Sequence, residues 1–380
     1  MSRTETKSES DYSLKTAQTS SFDAPALPYE PPRPQYYNPA IGLIGCGGIA
    51  QTHLRAYQEQ GYHVVALCDI TEEKARQRGA EFFPDADIYS DASKLLARSD
   101  IEVVDIATHP PERVPIIRDA LQAGKHVLSQ KPFVLDLDTG EELVALADEM
   151  GRKLAVNQNG RWAPHFSYMR EAIRGGLIGD VIGSHLQVHW DHTWVMGTPF
   201  EKIHELVLYD FAIHWFDATA TFWQGRQATK IYATKTRVLG QEIMPPMAAQ
   251  ILVEYEGGQA SLVFDAHTKF GAQDSSYISG TKGTLFSTGP NLGEQTVTLS
   301  TEQGTATPDL KGTWFPGGFA GTMGELLCAI EENRQPQNSA KNNLASLALC
   351  FAAIVSSSDG QAKTPGEVRR LPEGSVPFVT

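Results

Sequence analysis

From Ala40 onward the chain alternates short, nearly continuous apolar runs with longer amphipathic stretches. "AIGLIG", "HVVALCD", "IEVVDIAT" and "KHVLSQ" are separated by segments long enough for a crossover helix. Apolar runs without alternation belong to strands buried on both faces, and helices with one apolar stripe cover such strands. The expected architecture from 40 to 156 is an open, doubly wound Rossmann-type α/β sheet that ends after the strand "KLAV". Beyond "NQNGRW" the period changes. Pro164 opens a helix that Gly175 and Gly176 close, and the strand "GSHLQVHWDHTW" follows. The runs "TKIYATKTRV", "AAQILVEYEGGQASLVFDAH", "SSYISGTKGTLFST" and "TVTLST" alternate as antiparallel strands do, with a turn at Gly257-Gly258. Two helices, near 319–333 and 341–357, close the chain. Residues 157–380 are therefore expected to be an α+β unit with a large, mostly antiparallel, open-faced sheet.

One helix in this second unit departs from the ordinary pattern. Between Leu206 and Trp223 there is no Lys, Arg or Glu, yet Asp210, His214 and Asp217 recur at i, i+4 and i+7. That spacing puts the three on one face of an α-helix. A helix apolar on its other sides is buried, and buried acids and imidazoles need polar partners, so the stripe is expected to face a polar cleft.

Residues 1–39 lack this periodicity. They read as a polar, disordered segment followed by a Pro-rich arm, "APALPYEPPRPQYYNP", whose extended backbone and tyrosines suit docking on a surface, that of a neighbouring subunit included. The excess of 45 acidic over 32 basic residues disfavours nucleic acid and anionic membrane as partners and favours a small-molecule substrate. Cys46, Cys68, Cys328 and Cys350 form no CxxC pair and sit among apolar residues, so they are expected to be buried free thiols. With no signal core and no long apolar run, a cytoplasmic location is expected.

Composition leaves the chemistry open; three motifs narrow it. Gly45-x-Gly47-x-x-Ala50 lies between a predicted strand and a predicted helix. There Gly45 permits the tight turn, while Gly47, Gly48 and Ile49 bring backbone N–H groups and a helix N-terminus to a pyrophosphate. Asp69 ends the next strand, where a carboxylate binds the ribose hydroxyls and disfavours a 2′-phosphate, so the expected cofactor is NAD. Thr108 and His109 at the end of "VVDIAT", and Gln130 and Lys131 at the end of "KHVLSQ", lie at the strand ends where such sheets bind ligands.

Together, the glycine turn, Gln130-Lys131-Pro132 and Asp210-x-x-x-His214 resemble the glucose-fructose oxidoreductase/inositol dehydrogenase/MocA family from about Ala40 to the C-terminus. The resemblance implies an NAD-dependent oxidoreductase that oxidises a secondary hydroxyl of a sugar, glycoside or cyclic polyol. It implies that Lys131 contacts the reacting hydroxyl, that His214 is the base and that Asp210 supports it. Gln130 stands where the family usually has Glu. "NGRW", Asn159 to Trp162, resembles the family's segment after the first unit, which assigns Asn159, Arg161 and Trp162 to substrate.

The physical chemistry agrees with those roles. Removing a hydroxyl proton while hydride leaves its carbon calls for a base and a nearby cation. Asp217 is expected to be structural. His189, His192 and Trp194, in and after the strand 181–189, are expected to wall the substrate, and no metal site is expected because no Cys or carboxylate spacing accompanies the histidines. Two alternatives remain: a redox-neutral enzyme that keeps its NAD, as glycosidases and transferring oxidoreductases of the family do, and a non-catalytic ligand sensor. A homo-oligomer, dimer or tetramer, formed through the open sheet is also expected from the family.

Overall fold

The computed structural model describes residues 20–375. Six parallel strands, β1 Ala40–Ile44, β2 Val64–Cys68, β3 Asp87–Tyr89, β4 Ile101–Ile106, β5 His126–Gln130 and β6 Leu154–Asn157, stand in the order β3-β2-β1-β4-β5-β6. They are joined by helices α1 Ala50–Gln60, α2 Glu72–Phe82, α3 Ala92–Leu96, α4 Pro110–Gln122 and α5 Leu137–Glu149. This is the doubly wound sheet that the continuous apolar runs predict, and its central strands are almost wholly buried.

Helix α6 Pro164–Arg174 leads to the second sheet, built from β7 Val181–His189, β8 Ala228–Thr236, β9 Ala248–Tyr255, β10 Gly258–Asp265, β11 Gln273–Gly280, β12 Gly283–Asn291, β13 Glu294–Thr301 and β14 Gly304–Ala306. The order is β14-β13-β12-β11-β7-β10-β9-β8, antiparallel except for the central β7–β10 pair. Burial alternates along β9 and β10, with Ile251, Val253, Ala260, Leu262 and Phe264 inward. Helix α7 Ile213–Phe222 sits on the inner side, and α8 Gly317–Glu331 and α9 Ala340–Asp359 complete the chain. Helix α8 returns to the first sheet: Phe319, Met323, Leu326 and Leu327 share an apolar cluster with Ile41, Leu43, Leu54, Val103 and Leu128.

The described part of the N-terminal arm, residues 20–39, lies on its own chain. Its few N–H groups need acceptors. Phe22 N–H donates to the Thr305 carbonyl at 3.0 Å, and the N–H groups of Gln35, Tyr36 and Tyr37 converge on the Glu331 carboxylate at 2.8, 2.6 and 2.9 Å. Tyr29 Oη accepts from Lys311 N–H at 2.8 Å. The described arm thus docks on the second unit and α8 of its own chain, while residues 1–19 lie outside the described residues. All four cysteines are buried and free. Among the described residues no helix is long and apolar enough to cross a membrane.

Candidate active site

The turn after β1 is shaped for an anion. Gly45 has φ +97°, and a Cβ there would lie 2.9 Å from Ala107 C and 2.9 Å from Thr108 Cγ2, so only glycine fits. At Gly47 and Gly48 a Cβ would meet nothing within 4 Å, which leaves the backbone open to a ligand. Helix α1 begins at this turn without a side-chain cap and without an acid in its first turn, so its free N–H groups remain for a phosphate. Asp69 accepts from Cys46 N–H at 2.8 Å and from Thr71 N–H at 2.9 Å, which fixes its carboxylate beside the turn. These residues fit a dinucleotide with an unphosphorylated ribose.

At the ends of β4 and β5 a buried arginine does the positioning. Arg113 Nε donates to the Thr108 carbonyl at 3.0 Å, and its terminal nitrogens donate to the carbonyls of Thr108, Gln130 and Pro132. Burial pulls its pKa down to about 10, which leaves it cationic at neutral pH. The guanidinium therefore clamps the two loops that carry His109 and Lys131. Gln130 Oε1 accepts from Lys131 N–H at 2.9 Å and from Asn157 Nδ2 at 3.0 Å, so its amide nitrogen is the group left for the cleft it lines. Asn157 reaches on to His53 Nε2 at 3.1 Å, and His53 Nδ1 meets Asp105 at 2.7 Å, a buried polar chain under the cleft.

The expected stripe of Asp210, His214 and Asp217 is broken by the backbone. Leu206–Phe211 is a π-helical turn, in which Ala212 N–H reaches back to the Val207 carbonyl at 2.7 Å, and α7 starts only at Ile213. Such turns rotate the side chains before them relative to those after. Lys131 Nζ donates to the Asp210 carbonyl at 2.8 Å and to Asp210 Oδ1 at 3.1 Å, so Asp210 pairs with the lysine and not with the imidazole. His214 is buried against Trp314, ring centroids 5.3 Å apart at 88°, and its Nδ1 has no partner. Desolvation first, and the Lys131 charge second, hold its pKa well below the usual 6.5, so the ring is neutral.

Lys131, Asp210 and His214 line one cavity of about 530 Å³ together with Ile49, Thr108, His109, Gln130, Asn159, His192 and Trp194. Three of the expected substrate residues are elsewhere. Arg161 is consumed internally: Nε and Nη2 bind Asp217 at 2.6 and 2.7 Å, and Nη1 binds the Gln337 carbonyl. Trp162 is buried under α8, where a Cβ on Gly321 would lie 2.2 Å from its ring, and Arg170 stacks over it at 5.3 Å. His189 faces the open side of the sheet and meets Asp265 at 2.7 Å. Asp217 is structural, as expected, and also accepts from Ser346 Oγ at 2.8 Å.

Beyond Asn159, His192 and Trp194, which were expected, sequence reasoning missed the aromatic residues packed beside them. Trp190 stacks on Phe211 (5.1 Å, 29°), Trp194 meets Phe200 at 6.3 Å, and Trp314 Nε1 donates to Asn159 Oδ1 at 2.6 Å. The density of aromatics in 190–200, 209–215 and 314–319 is the signal that could have found them. Among the described residues no three His, Cys, Asp or Glu gather as metal ligands do.

Residues 40–158 match the family profile of the oxidoreductase family with an NAD-binding Rossmann fold, and residues 166–286 match the GFO/IDH/MocA C-terminal domain. The chain is 29% identical over 355 residues to D-apiose dehydrogenase of Paraburkholderia graminis, a match spanning 89% of this chain and 92% of that one. It is 32% identical over 154 residues to inositol 2-dehydrogenase of Burkholderia multivorans, 40% of this chain and 45% of that one. The crystal structure of an oxidoreductase from Agrobacterium radiobacter in complex with NAD+, L-tartaric acid and magnesium shares the fold, with a TM-score of 0.78 over 87% of this chain and 99% of that one at 22% identity. The two profiles run in order along the chain, one over each sheet, and the chain belongs to the glucose-fructose oxidoreductase/inositol dehydrogenase/MocA family of NAD-dependent oxidoreductases.

Proposed function

We propose that the protein oxidises a secondary hydroxyl of a sugar, glycoside or cyclic polyol, with His214 as base and Lys131 as stabiliser of the developing alkoxide. The observation that carries this reading is the neutral, buried His214 and the Lys131 ammonium opening into one cleft at the carboxyl ends of the parallel strands. Bound NAD supplies the hydride acceptor.

The chain's own residues do the rest. An ammonium has three N–H donors, and Lys131 directs two contacts at Asp210, which leaves a donor for the substrate oxygen. As the hydroxyl proton leaves, charge grows on an oxygen held by that donor, in a cleft lined largely by aromatic rings. The neutral imidazole has a free lone pair for the proton. Burial and Lys131 disfavour the imidazolium, so the ring is held ready as the neutral base and passes the proton on readily once it has taken it. Asp210 orients Lys131. The names of the two relatives, a sugar dehydrogenase and a cyclitol dehydrogenase, favour a carbohydrate-like substrate.

The redox-neutral alternative, an enzyme that keeps its NAD, is separated from this reading by the test below. Homo-oligomerisation and cytoplasmic residence belong to the proposal as well. The open sheet face presents Tyr232, Leu252, Tyr277 and Phe286, apolar surface that suits a second copy, and buried free thiols suit a reducing compartment. The test is a screen of sugars, glycosides and inositols for NAD reduction, preceded by mass spectrometry of copurifying nucleotide. Reduction by one class supports the reading. No reduction by any of them, with NAD retained through turnover, contradicts it.

A further inference from the structure

The cleft has two chemically different ends. At one end Lys131, Asp210, His214 and Gln130 offer donors and acceptors. Around Trp194 the walls are Trp190, Pro199 and Phe200, and few polar atoms there are free: Trp190 Nε1 has no partner and Asp191 keeps one carboxylate oxygen. Trp194 Nε1 donates to His192 Nδ1 at 3.2 Å. Asp191 Oδ1 accepts from Thr193 N–H at 3.0 Å and Thr193 Oγ1 at 2.6 Å. His192 lies flat against Trp190, interplanar angle 17°, and burial drops its pKa to about 4, so it brings no charge. Trp194 nevertheless remains 63% exposed.

A sugar ring carries a hydroxyl on nearly every carbon, and each one buried without a partner costs about 1–3 kcal/mol. A second sugar ring or a free polyol chain has more hydroxyls than the aromatic end has free partners. A flat apolar ring suits it, since aromatic pairs gain about 0.5–1.5 kcal/mol beyond their buried area. Cavities of this kind fix orientation with a few polar groups at one end and take their affinity from apolar walls.

We infer that the substrate is a glycoside with an aromatic aglycone, its sugar ring at the Lys131 and His214 end and its aglycone against Trp194 and Phe200. The inference rests on the proposed hydroxyl oxidation. In that reaction one sugar carbon gives its hydride to NAD+, its hydroxyl gives a proton to His214, and the glycosidic bond is untouched.

The experiment compares NADH formation from the free sugar, the methyl glycoside and the 4-nitrophenyl glycoside over several ring configurations, with binding of the same compounds to the NAD-loaded protein measured by equilibrium dialysis. The aryl glycoside is expected to have at least a tenfold higher kcat/KM than the methyl glycoside, mainly through KM. Trp194→Ala, at an exposed position, should reduce kcat/KM for the aryl glycoside at least tenfold more than for the methyl glycoside, and Trp194→Phe should keep most of the preference. Equal kcat/KM for the two glycosides, or equal losses in Trp194→Ala, would overturn the inference and leave the oxidation reading standing. Tight, Trp194-dependent binding of the aryl glycoside without turnover would keep the aromatic site and sink the oxidation. No turnover and no preferential binding would remove both.

Discussion

Two cation–carboxylate pairs tie the segment 206–222 to the rest of the protein, and they are opposites. Arg161 and Asp217 are buried, with side-chain exposures of 7% and 2%, and every polar atom of the pair has a protein partner. Lys131 and Asp210 are part open, at 16% and 21%, and the ammonium keeps a donor free toward the cleft. In the sequence Asp210 and Asp217 fall on one expected helical stripe, with His214 between them and apolar residues on the other sides. The π turn that carries Asp210 separates their fates, aiming one at the cleft and leaving the other on a buried arginine. A saturated pair holds structure, and an unsaturated pair has capacity left for chemistry.

The largest expected effect breaks the saturated pair. Asp217→Ala leaves the Arg161 guanidinium buried and unpaired, which costs about 3–5 kcal/mol, and urea unfolding should show that loss. Unchanged stability would show that Arg161 is not held as described. Smaller is the effect at Asp69, a carboxylate that spends one oxygen on Cys46 N–H and the other on Thr71 N–H yet retains lone pairs for a ribose. Asp69→Ala should weaken NAD by about tenfold, roughly 1.4 kcal/mol, and NADP much less, as read by calorimetry. Equal losses would contradict the ribose contact.

Smallest is a pH effect at His214. Its pKa is lowered on folding, so the unfolded chain takes up a proton that the folded protein resists. Its contribution to stability is complete above the unfolded value near 6.5 and is lost as pH falls below it, by about 0.8 kcal/mol at pH 6.0. Comparing the pH dependence of urea unfolding in the wild type and in His214→Gln should isolate that loss, and identical slopes would mean that the ring titrates alike in the folded and unfolded chain.

Much of the first sheet was legible. Continuous apolar runs gave its strands, and the spacing from Gly45 to Asp69 and Lys131 gave its ligand end, because turn chemistry and strand ends are local properties. The antiparallel strands were legible too, but the parallel β7–β10 pair was not, since no local pattern encodes which distant strands meet. The π turn escaped for a different reason: i, i+4 and i+7 fit an α-helix, and the irregularity is set by packing. Arg161 and His189 read as substrate residues because their partners, Asp217 and Asp265, lie 56 and 76 residues away. The arm's composition predicted docking without saying on what.

The most direct test of the central claim removes each group of the unsaturated site and measures cofactor binding apart from chemistry. Lys131→Ala and His214→Ala should bind NAD within about twofold of the wild type by calorimetry, while the single-turnover rate of NADH formation on a substrate found in the screen falls by about 10²–10³. An unchanged rate in either variant, with NAD bound normally, would contradict the assignment of the base and the alkoxide-stabilising cation to this cleft.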